Sequence, residues 1–378
     1  MQNGTAHNND IAIGNSAMQN ALSGSGNIAI GVTALQNCEQ ASNNIAIGLF
    51  AMLSSKGLAS NNIAIGNSSM LFSTGNDNIA IGRNALSLTG GTTLVVGNQN
   101  IAIGLNTLQF NNGNNNIALG NSALQNSAGS NTNVAIGNGA LFNASGSTDN
   151  IAIGVQAMQN SFSATNNVAI GLQALINNVS GSNNIAIGMD AGSALTNLES
   201  NDIYIGHIGV VGESNTIRIG TKNTQTGCYI AGIRGVTTTI ADAIPVLIDS
   251  AGQLGTLSSS NRYKKDILSI QDEHTALLQL RPVSFVYKND ETNHKKYGLI
   301  AEEVNEVLQE IVVHQDGEIY TVDYMALIPL LIKSIQELEN EVKECKAYNQ
   351  QQDLSIPQQN EQINELRNLL SQLLEKMN

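Results

Sequence analysis

The sequence predicts a mainly β protein: an elongated β-solenoid of repeats about 17 residues long, then a β-rich neck, a small α+β domain and a C-terminal coiled coil. Three observations predict this architecture. An apolar motif recurs through the first half of the chain, charged residues are concentrated in the remainder, and apolar residues near the end follow a heptad spacing. We expect the solenoid at 1–206, the neck at 207–257, the α+β domain with its first helix at 258–345, and the coiled coil at 346–378.

Composition limits the classes of partner. The 378-residue chain has a net charge of -13, and only eight charged residues lie in 1–200. Nucleic-acid binders concentrate Lys and Arg on one surface, so we expect no nucleic-acid partner. With 36 glycines and no tryptophan, the first half cannot be built around a large aromatic core.

The sequence shows no sign of a metal, a cofactor or a membrane span. Cys38, Cys228 and Cys345 share no CxxC spacing, so neither a disulfide framework nor a zinc site is expected. No stretch reaches the roughly 18–20 apolar residues of a membrane helix. The opening MQNGTAHNND lacks the basic start and apolar core of a secretory signal.

The repeat consists of two elements. The first is IAIG or a close variant, with copies mostly 16 to 18 residues apart. These copies end at Gly14, Gly31, Gly48, Gly66, Gly82, Gly104, Gly120, Gly137, Gly154, Gly171 and Gly188, and weaker copies end at Gly206 and Gly220. The second is an Ala-Leu or Ala-Met pair that follows eight of these glycines, as at Ala157-Met158. One repeat buries too little apolar surface to fold alone, so neighbouring repeats must stack.

The alternation within IAIG predicts which side chains are buried. A strand points successive side chains to opposite faces, so Ile151 and Ile153 share one face and Ala152 and Gly154 share the other. We expect the isoleucine face to be buried and the small face to allow close approach of another backbone. The Asn, Ser and Gly clusters between strands supply turns that tolerate positive φ.

NNIAIG followed by xxAL resembles the head repeats of trimeric autotransporter adhesins. The resemblance implies a left-handed β-roll and the association of three chains. A flat surface rich in Asn and Ser is compatible with binding a cell-surface glycan or a host receptor, or with no ligand at all.

A second resemblance covers the charged part of the chain. Four blocks follow one another, namely RYKKDI (262–267), LLQLRPVSFVYK (277–288), YGLIAEEVNEVLQEIV (297–312) and YTVDYMALIPLLIKSIQELENEV (320–342). This series resembles the intramolecular chaperone domain of phage tailspikes and tail fibres, the S74 peptidase family. It implies a domain that assembles a homotrimer and then cleaves itself, in a virion tail fibre or at an extracellular cell surface.

The start of this domain carries the implied catalytic residues. The family reads Ser-Asp-x-Arg-x-Lys where this chain has SSNRYK, which aligns Ser259 with the nucleophile and Lys264 with its base. Cleavage between Ser258 and Ser259 would release 259–378 in a single turnover. Ser260 stands where the family has aspartate.

A serine–lysine pair needs help to react. A serine hydroxyl is a weak nucleophile that requires a base, and a lysine acts as a base only when neutral. The unperturbed lysine pKa is about 10.4, so lowering it towards 7 requires roughly 4–5 kcal/mol from desolvation or a nearby cation. Arg262 and Lys265 are the candidate cations, and burial of the lysine in the folded assembly would supply the rest.

The alternative is a structural surface protein whose C-terminal domain stays attached as a permanent trimer clamp. A Ser-rich stretch before a basic cluster is often a solvated linker, and Ser260 departs from the family pattern. The sequence therefore leaves both functions open.

Apolar residues near the C-terminus predict a helical seam. Alternating steps of three and four residues join Ile328, Leu331, Ile335, Leu338, Val342 and Cys345. After a polar stretch with Pro357 the seam resumes at Ile363, Leu366, Leu370, Leu373 and Met377. This spacing favours a coiled coil but does not determine the number of strands.

Overall fold

The computed structural model describes residues 6–54, 59–72, 74–88 and 97–377. Residues 1–5, which begin the predicted solenoid, and residue 378, which ends the predicted coiled coil, lie outside the described residues. The chain divides into two compact units, Met1–Ala231 and Gly232–Asn378. Each unit contains a hydrophobic core of its own.

A parallel sheet dominates the N-terminal unit, and each repeat contributes one short strand. Among the described residues, 13 strands form this sheet in chain order: β2 (Ile11–Ile13), β4 (Ile28–Ile30), β5 (Ile45–Ile47), β6 (Ile63–Ile65), β7 (Ile79–Ile81), β8 (Ile101–Ile103), β9 (Ile117–Leu119), β10 (Val134–Ile136), β11 (Ile151–Ile153), β12 (Val168–Ile170), β13 (Ile185–Ile187), β14 (Ile203–Ile205) and β15 (Ile217–Ile219). A smaller parallel pair joins β1 (Ala6–Asn8) to β3 (Ser23–Ser25). Equivalent residues pair, for example Ala135 with Ala152, so the predicted solenoid is confirmed.

The face of each strand that points into the core is opposite to the predicted one. Ala152 is fully buried, whereas Ile151 is 38 % exposed. The same pattern, with the central residue inside and its neighbours partly exposed, recurs from β4 to β14. The expected isoleucine core is therefore wrong, because the space between the strand and the opposite wall admits only a methyl group from the strand. The isoleucines form the outer face of the sheet.

The opposite wall is made by the Ala-Leu element. Ala123 and Leu124 are fully buried, and the Leu124 N–H donates to the Ala140 carbonyl at 3.0 Å. Leu124 adopts a left-handed backbone with φ 50°, a conformation that costs an L-residue roughly 1–2 kcal/mol. Burial of the leucine side chain, about 1.5–3 kcal/mol, and the hydrogen bond to the next turn offset that cost.

The glycine of each motif allows the turns to stack. Gly120 has φ +131°, and a Cβ added there would lie only 2.7 Å from the carbonyl oxygen of Gly137 in the next turn. A side chain would therefore collide with backbone, so glycine is required at this position. The expected close approach of another backbone is thus made along the stacking direction, by the next repeat.

Buried asparagines run the length of the unit. We call this set the asparagine ladder; each member directly precedes a strand and is at most 2 % exposed. Its members are Asn27, Asn44, Asn62, Asn78, Asn100, Asn116, Asn133, Asn150, Asn167 and Asn184. In one rung, the backbone N–H and Nδ2 of Asn167 both donate to Oδ1 of Asn150 at 3.0 Å, and Nδ2 also donates to the Gly181 carbonyl at 2.9 Å. From the sequence, these asparagines were expected only in turns, and the ladder was not predicted.

The pattern changes at the last repeats. Tyr204 replaces the inward alanine in β14 and is fully buried, so its ring fills the end of the core. Asp202 takes the ladder position before that strand and is also fully buried. The sheet then continues into β15, beyond the expected boundary at residue 206.

The C-terminal unit is built from short elements and one long helix. Its strands pair as three antiparallel hairpins: β16 (Leu247–Ile248) with β17 (Leu254–Gly255), β18 (Val283–Phe285) with β19 (Lys296–Gly298), and β20 (Val312–Gln315) with β21 (Glu318–Val322). The α-helices are α1 (Ala301–Val307) and α2 (Leu327–Met377), and 3₁₀ segments span Asn261–Tyr263, Glu273–Gln279 and Gln309–Ile311. The core includes Val304, Leu308, Ile311, Val322 and Leu330.

Residues 207–257 have less strand than the β-rich neck that the sequence predicts. In this range, all of which is described, β15, β16 and β17 are the only strands. The apolar residues between 229 and 257 are largely exposed, for example Ile240 at 69 % and Leu257 at 77 %. The segment has the composition of a strand region, but a single chain offers it nothing to pack against.

Helix α2 is continuous through the polar stretch that separates the two parts of the predicted seam. It extends over 51 residues with Pro357 inside it. The heptad steps therefore continue in phase from Cys345 to Ile363, and Asn349, Gln352 and Gln359 occupy the same stripe as the apolar residues. The side chain of Met377, the last predicted seam residue, lies outside the described part of the chain.

The ladder generates a stability prediction. Replacing Asn167 with Ala removes the donors to Asn150 and Gly181 and the acceptor for the Asn184 N–H. We expect the free energy of unfolding to fall by on the order of 3 kcal/mol, because buried polar groups are left without partners. Urea unfolding measures the change.

Asn166→Gly is the matched control. Asn166 is exposed and has φ 58°, a conformation that glycine adopts readily. We expect a change of a few tenths of a kcal/mol there. If Asn167→Ala and Asn166→Gly lowered the free energy of unfolding equally, the ladder would not be a specific source of stability.

Candidate functional site

The segment that the sequence selects as a catalytic site lies at the start of the charged region. Ser259 precedes the 3₁₀ turn Asn261–Tyr263, and Lys264 follows it. The turn is closed by backbone hydrogen bonds from Tyr263 to Ser260 and from Lys264 to Asn261, each 3.1 Å long. This single turn reverses the chain and brings two side chains five residues apart onto the same side.

The two predicted residues are in contact. The Nζ of Lys264 donates to the Oγ of Ser259 at 3.2 Å. A base has to reach the proton that it removes, and this separation is within hydrogen-bond range. In its neutral form the same amine could accept the hydroxyl proton.

Ser260, which stands where the resembling family has aspartate, supports the turn. Its hydroxyl oxygen accepts the Arg262 N–H at 3.4 Å and the Arg262 Nε–H at 3.3 Å. Serine and aspartate both cap helix starts by accepting a backbone N–H, so the substitution retains the capping contact and removes a negative charge.

The surroundings of the pair are open in the single chain. Ser259 and Lys264 are both exposed, so neither is desolvated by its own chain. Of the two candidate cations, Arg262 lies with its guanidinium carbon 5.6 Å from the centroid of the Tyr263 ring, and Lys265 is exposed. The hydrogen bond is present, but the burial that would favour a neutral lysine is not.

A buried histidine that the sequence analysis did not select joins the segment Glu273–Gln279 to helix α2. His274 is 6 % exposed, its Nδ1 lies 2.8 Å from the Gln271 carbonyl oxygen, and its Nε2 lies 2.6 Å from Oε2 of Glu337. The hydrogen bond from Lys333 and the nearby histidine lower the pKa of Glu337. Both partners are acceptors, so a ring protonated on both nitrogens donates to both. A single histidine between Glu273 and Thr275 gives no signal in the sequence that could have revealed this role.

Tyr324 and Arg281 connect the remaining parts of the unit. The Tyr324 hydroxyl accepts the Leu299 N–H at 2.9 Å just after strand β19. Arg281 pairs with Glu303 on helix α1. His294, which the sequence leaves as a surface residue, is exposed.

The described residues show neither a metal-ion site nor a membrane-spanning helix. They contain no group of three or more His, Cys, Asp or Glu side chains arranged to hold a metal ion. Within the same ranges no helix is long and apolar enough to cross a membrane. All three cysteines are free thiols, with Cys38 buried and Cys228 and Cys345 exposed.

Comparison with known families identifies the segment around this site. Residues 259–313 match the sequence model of the peptidase S74 family, described as chaperone of endosialidase. The match begins at the predicted nucleophile and covers much less than half of the chain. It confirms the resemblance that the ordered blocks indicate. No curated protein matches the chain.

The histidine contact generates a prediction for the C-terminal unit. His274→Ala removes the bridge between Gln271 and Glu337 and should lower the urea midpoint of this unit. Hydrogen exchange of residues 271–280 should accelerate, because the segment loses its side-chain bridge to α2 and keeps only the long contact from the Ser334 hydroxyl to the carbonyl of residue 274. His294→Ala, at an exposed position, should change neither quantity. Unchanged exchange in His274→Ala would show that apolar packing alone holds the segment.

Proposed function

We propose that the chain is a homotrimeric fibre-type protein whose C-terminal domain assembles three chains and then cleaves itself between Ser258 and Ser259. The observation that carries this proposal is the hydrogen bond between Lys264 and Ser259 at the start of the segment that matches the chaperone family. Domains of this family are associated with trimeric fibres. The proposed domains remain 1–206, 207–257, 258–345 and 346–378.

The chemistry follows from the position of Ser259. Neutral Lys264 takes the hydroxyl proton, and Oγ adds to the carbonyl carbon of Ser258. The peptide C–N bond then breaks as the Ser259 nitrogen gains a proton, which leaves an ester between the Ser258 carbonyl and Oγ. Water hydrolyses the ester to a Ser258 carboxylate and restores the hydroxyl. The reacting groups belong to adjacent residues, so the first step is intramolecular and is favoured by proximity.

Assembly would control this reaction. Lys264 is exposed in the single chain, so its own chain does not remove it from water. Covering the pair with neighbouring chains would remove water and favour the neutral amine. Cleavage would therefore follow trimer formation.

The outer face of the solenoid sheet supports an assembled state. Its two columns of Ile, Val and Leu lie on 13 parallel strands and are partly exposed, as for Ile117 at 41 % and Leu119 at 43 %. A continuous apolar surface of this length is typical of an interaction site. Copies of the same chain have the matching repeat spacing, so they could cover each other's isoleucine columns.

Helix α2 and the neck support the same state. The apolar stripe of α2 is exposed, with Ile335 at 64 % and Leu366 at 65 %. The neck exposes Ile240 and Leu257 without a core of its own. Knobs-into-holes packing of three helices and three necks would bury these side chains.

The second candidate function is a permanent trimer clamp without cleavage. It is favoured by the exposure of Lys264 and by Ser260, which lacks the charge of the family's aspartate. In either case we propose that the protein acts in a virion tail fibre or at a cell surface. The Asn- and Ser-rich surface would there be available to a cell-surface glycan or a host receptor.

Cleavage is tested directly on a denaturing gel. The wild-type chain of 39.8 kDa should give two fragments of about two thirds and one third of that mass, and the smaller should begin at Ser259 by mass spectrometry. Ser259→Ala should stay intact and trimeric. Lys264→Arg should also stay intact, because a guanidinium does not lose its proton near neutral pH.

Neighbouring residues provide the controls. Lys265→Ala should slow cleavage without abolishing it, and Ser260→Asp should accelerate it or leave it unchanged. A fragment that begins at Ser260 would move the register by one residue and make Lys265 the base. An intact wild-type trimer would establish the clamp instead.

The role of the isoleucine face is tested by a charge in one repeat. Leu119→Lys places an ammonium on the outer face of β9, so it should weaken trimer formation at least tenfold, because burying an unpaired charge costs several kcal/mol. Ala128→Lys, in the exposed part of the same repeat, should leave assembly unchanged. Light scattering measures the mass, and circular dichroism checks that both variants are folded. Equal assembly of the two variants would remove the outer sheet face from the interface.

A further inference from the structure

The asparagine ladder has a direction. In each rung the donors belong to the later residue, and the acceptor is Oδ1 of the earlier one, as for Asn167 and Asn150. The first position is Asp10, whose Oδ1 accepts the backbone N–H of Asn27 at 2.7 Å and its Nδ2 at 3.2 Å. A carboxylate fits that end of the ladder, because only acceptance is required there.

The last position of the ladder, Asp202, requires a hydrogen-bond donor instead. Asp202 donates its backbone N–H to Oδ1 of Asn184 at 3.0 Å, and its Oδ1 accepts the Thr216 N–H at 2.9 Å. Its Oδ2 is buried without a hydrogen-bond partner. Elsewhere in the ladder the corresponding atom is the Nδ2 donor of an asparagine. An ionised carboxylate has no proton to donate, so it leaves the final rung incomplete.

Titratable groups surround Asp202, and the carboxylates among them, Glu213 and Glu199, disfavour a further negative charge, whereas Arg218 attracts it. These groups, from its own turn and the next one, are Glu199, Tyr204, His207, Glu213 and Arg218.

Both glutamates of this group are ionised at neutral pH. Burial alone would raise the pKa of Glu199, but the N–H groups of Asn197, Gly212 and Thr196 together lower it to about 2. The Nη2 of Arg218 donates a hydrogen bond to Oε2 of Glu213 at 2.7 Å, and this contact lowers the pKa of Glu213.

The remaining neighbours compensate Asp202 only in part. The Tyr204 hydroxyl donates to Oε1 of Glu213 at 3.1 Å, and Nδ1 of His207 accepts the Gly209 N–H at 2.8 Å. Burial lowers the pKa of His207 and so favours its neutral ring. Burial, reinforced by the charges of Glu213 and Glu199, raises the pKa of Asp202 against the opposing effects of the Thr216 N–H and the Tyr204 hydroxyl.

We propose that Asp202 is a proton-operated lock on the last turns of the solenoid. When the carboxyl is protonated, its O–H takes the place of the asparagine Nδ2 and completes the ladder. When the carboxyl is ionised, an unpaired charge is left between Asn184 and two other carboxylates, and the turns that contain β14 and β15 open more readily.

The direction of the pH effect follows from proton linkage. With a raised pKa in the folded state, the folded protein keeps a proton that the unfolded chain has already released. The stability of the last turns therefore falls as the pH rises through the folded-state pKa of Asp202. It recovers on acidification, down to the ordinary aspartate range of about 3.9.

Hydrogen exchange of the full chain tests this lock. Wild-type amides of residues 203–219 should exchange, after correction for intrinsic rates, several-fold more slowly near pH 4 than near pH 8, because the stability from the retained proton is lost between these pH values. Asp202→Asn supplies the donor at every pH, so its exchange should be slow and independent of pH. Asp149→Asn is the matched control, because Asp149 is exposed in an equivalent turn and should keep the wild-type dependence.

Infrared spectroscopy provides a readout that does not depend on stability. The difference between wild type and Asp202→Asn near pH 5 should contain a carboxylic-acid carbonyl band that disappears on raising the pH. Absence of this band at both pH values would overturn the proposal. So would faster exchange in Asp202→Asn than in wild type near pH 8, because it would show that the carboxylate itself stabilises the turn.

Discussion

The stacking of each turn's backbone directly on the next is the constraint on which the N-terminal unit depends. It places glycine where a Cβ would collide with the next carbonyl, as at Gly120, and alanine where the strand faces the interior, as at Ala152. It also aligns the buried asparagines so that one side chain serves two turns. A hydrogen-bond network that is fully satisfied gives stability and a single register, and a gap in it is costly.

The same constraint determines what lies on the outside. Because the interior accepts only alanine from the strands up to β13, the large apolar residues of β2 to β13 lie on the outer sheet face. The helix α2 stripe and the neck also expose apolar side chains. Three separate parts of one chain thus lack apolar partners, and each has a repeat or heptad geometry that further copies of the chain could match. The proposed assembly would bury the apolar surface that all three parts expose.

The proposed reaction has two requirements: contact between Lys264 and Ser259, and removal of water from around the lysine. A 3₁₀ turn is sufficient to bring Lys264 to Ser259, because the interaction is local in sequence. Desolvation is not local and requires other chains to cover the site. A site that is assembled but hydrated would remain inactive until the fibre is complete, which would prevent release of the assembly domain before it has acted.

The sequence by itself determined the solenoid, its repeat length, the chaperone-like segment and the Ser259–Lys264 pair, because each depends on a short motif or a period. Only the tertiary structure decided that Ala152 faces inwards and Ile151 outwards, since alternation specifies two faces without specifying which one is enclosed. The ladder and the unpaired oxygen of Asp202 likewise emerged only from contacts between residues 13 to 22 positions apart. His274 and Glu337 are farther apart in the chain, and their pairing depends on how α2 packs against the Glu273–Gln279 segment, which no local pattern encodes.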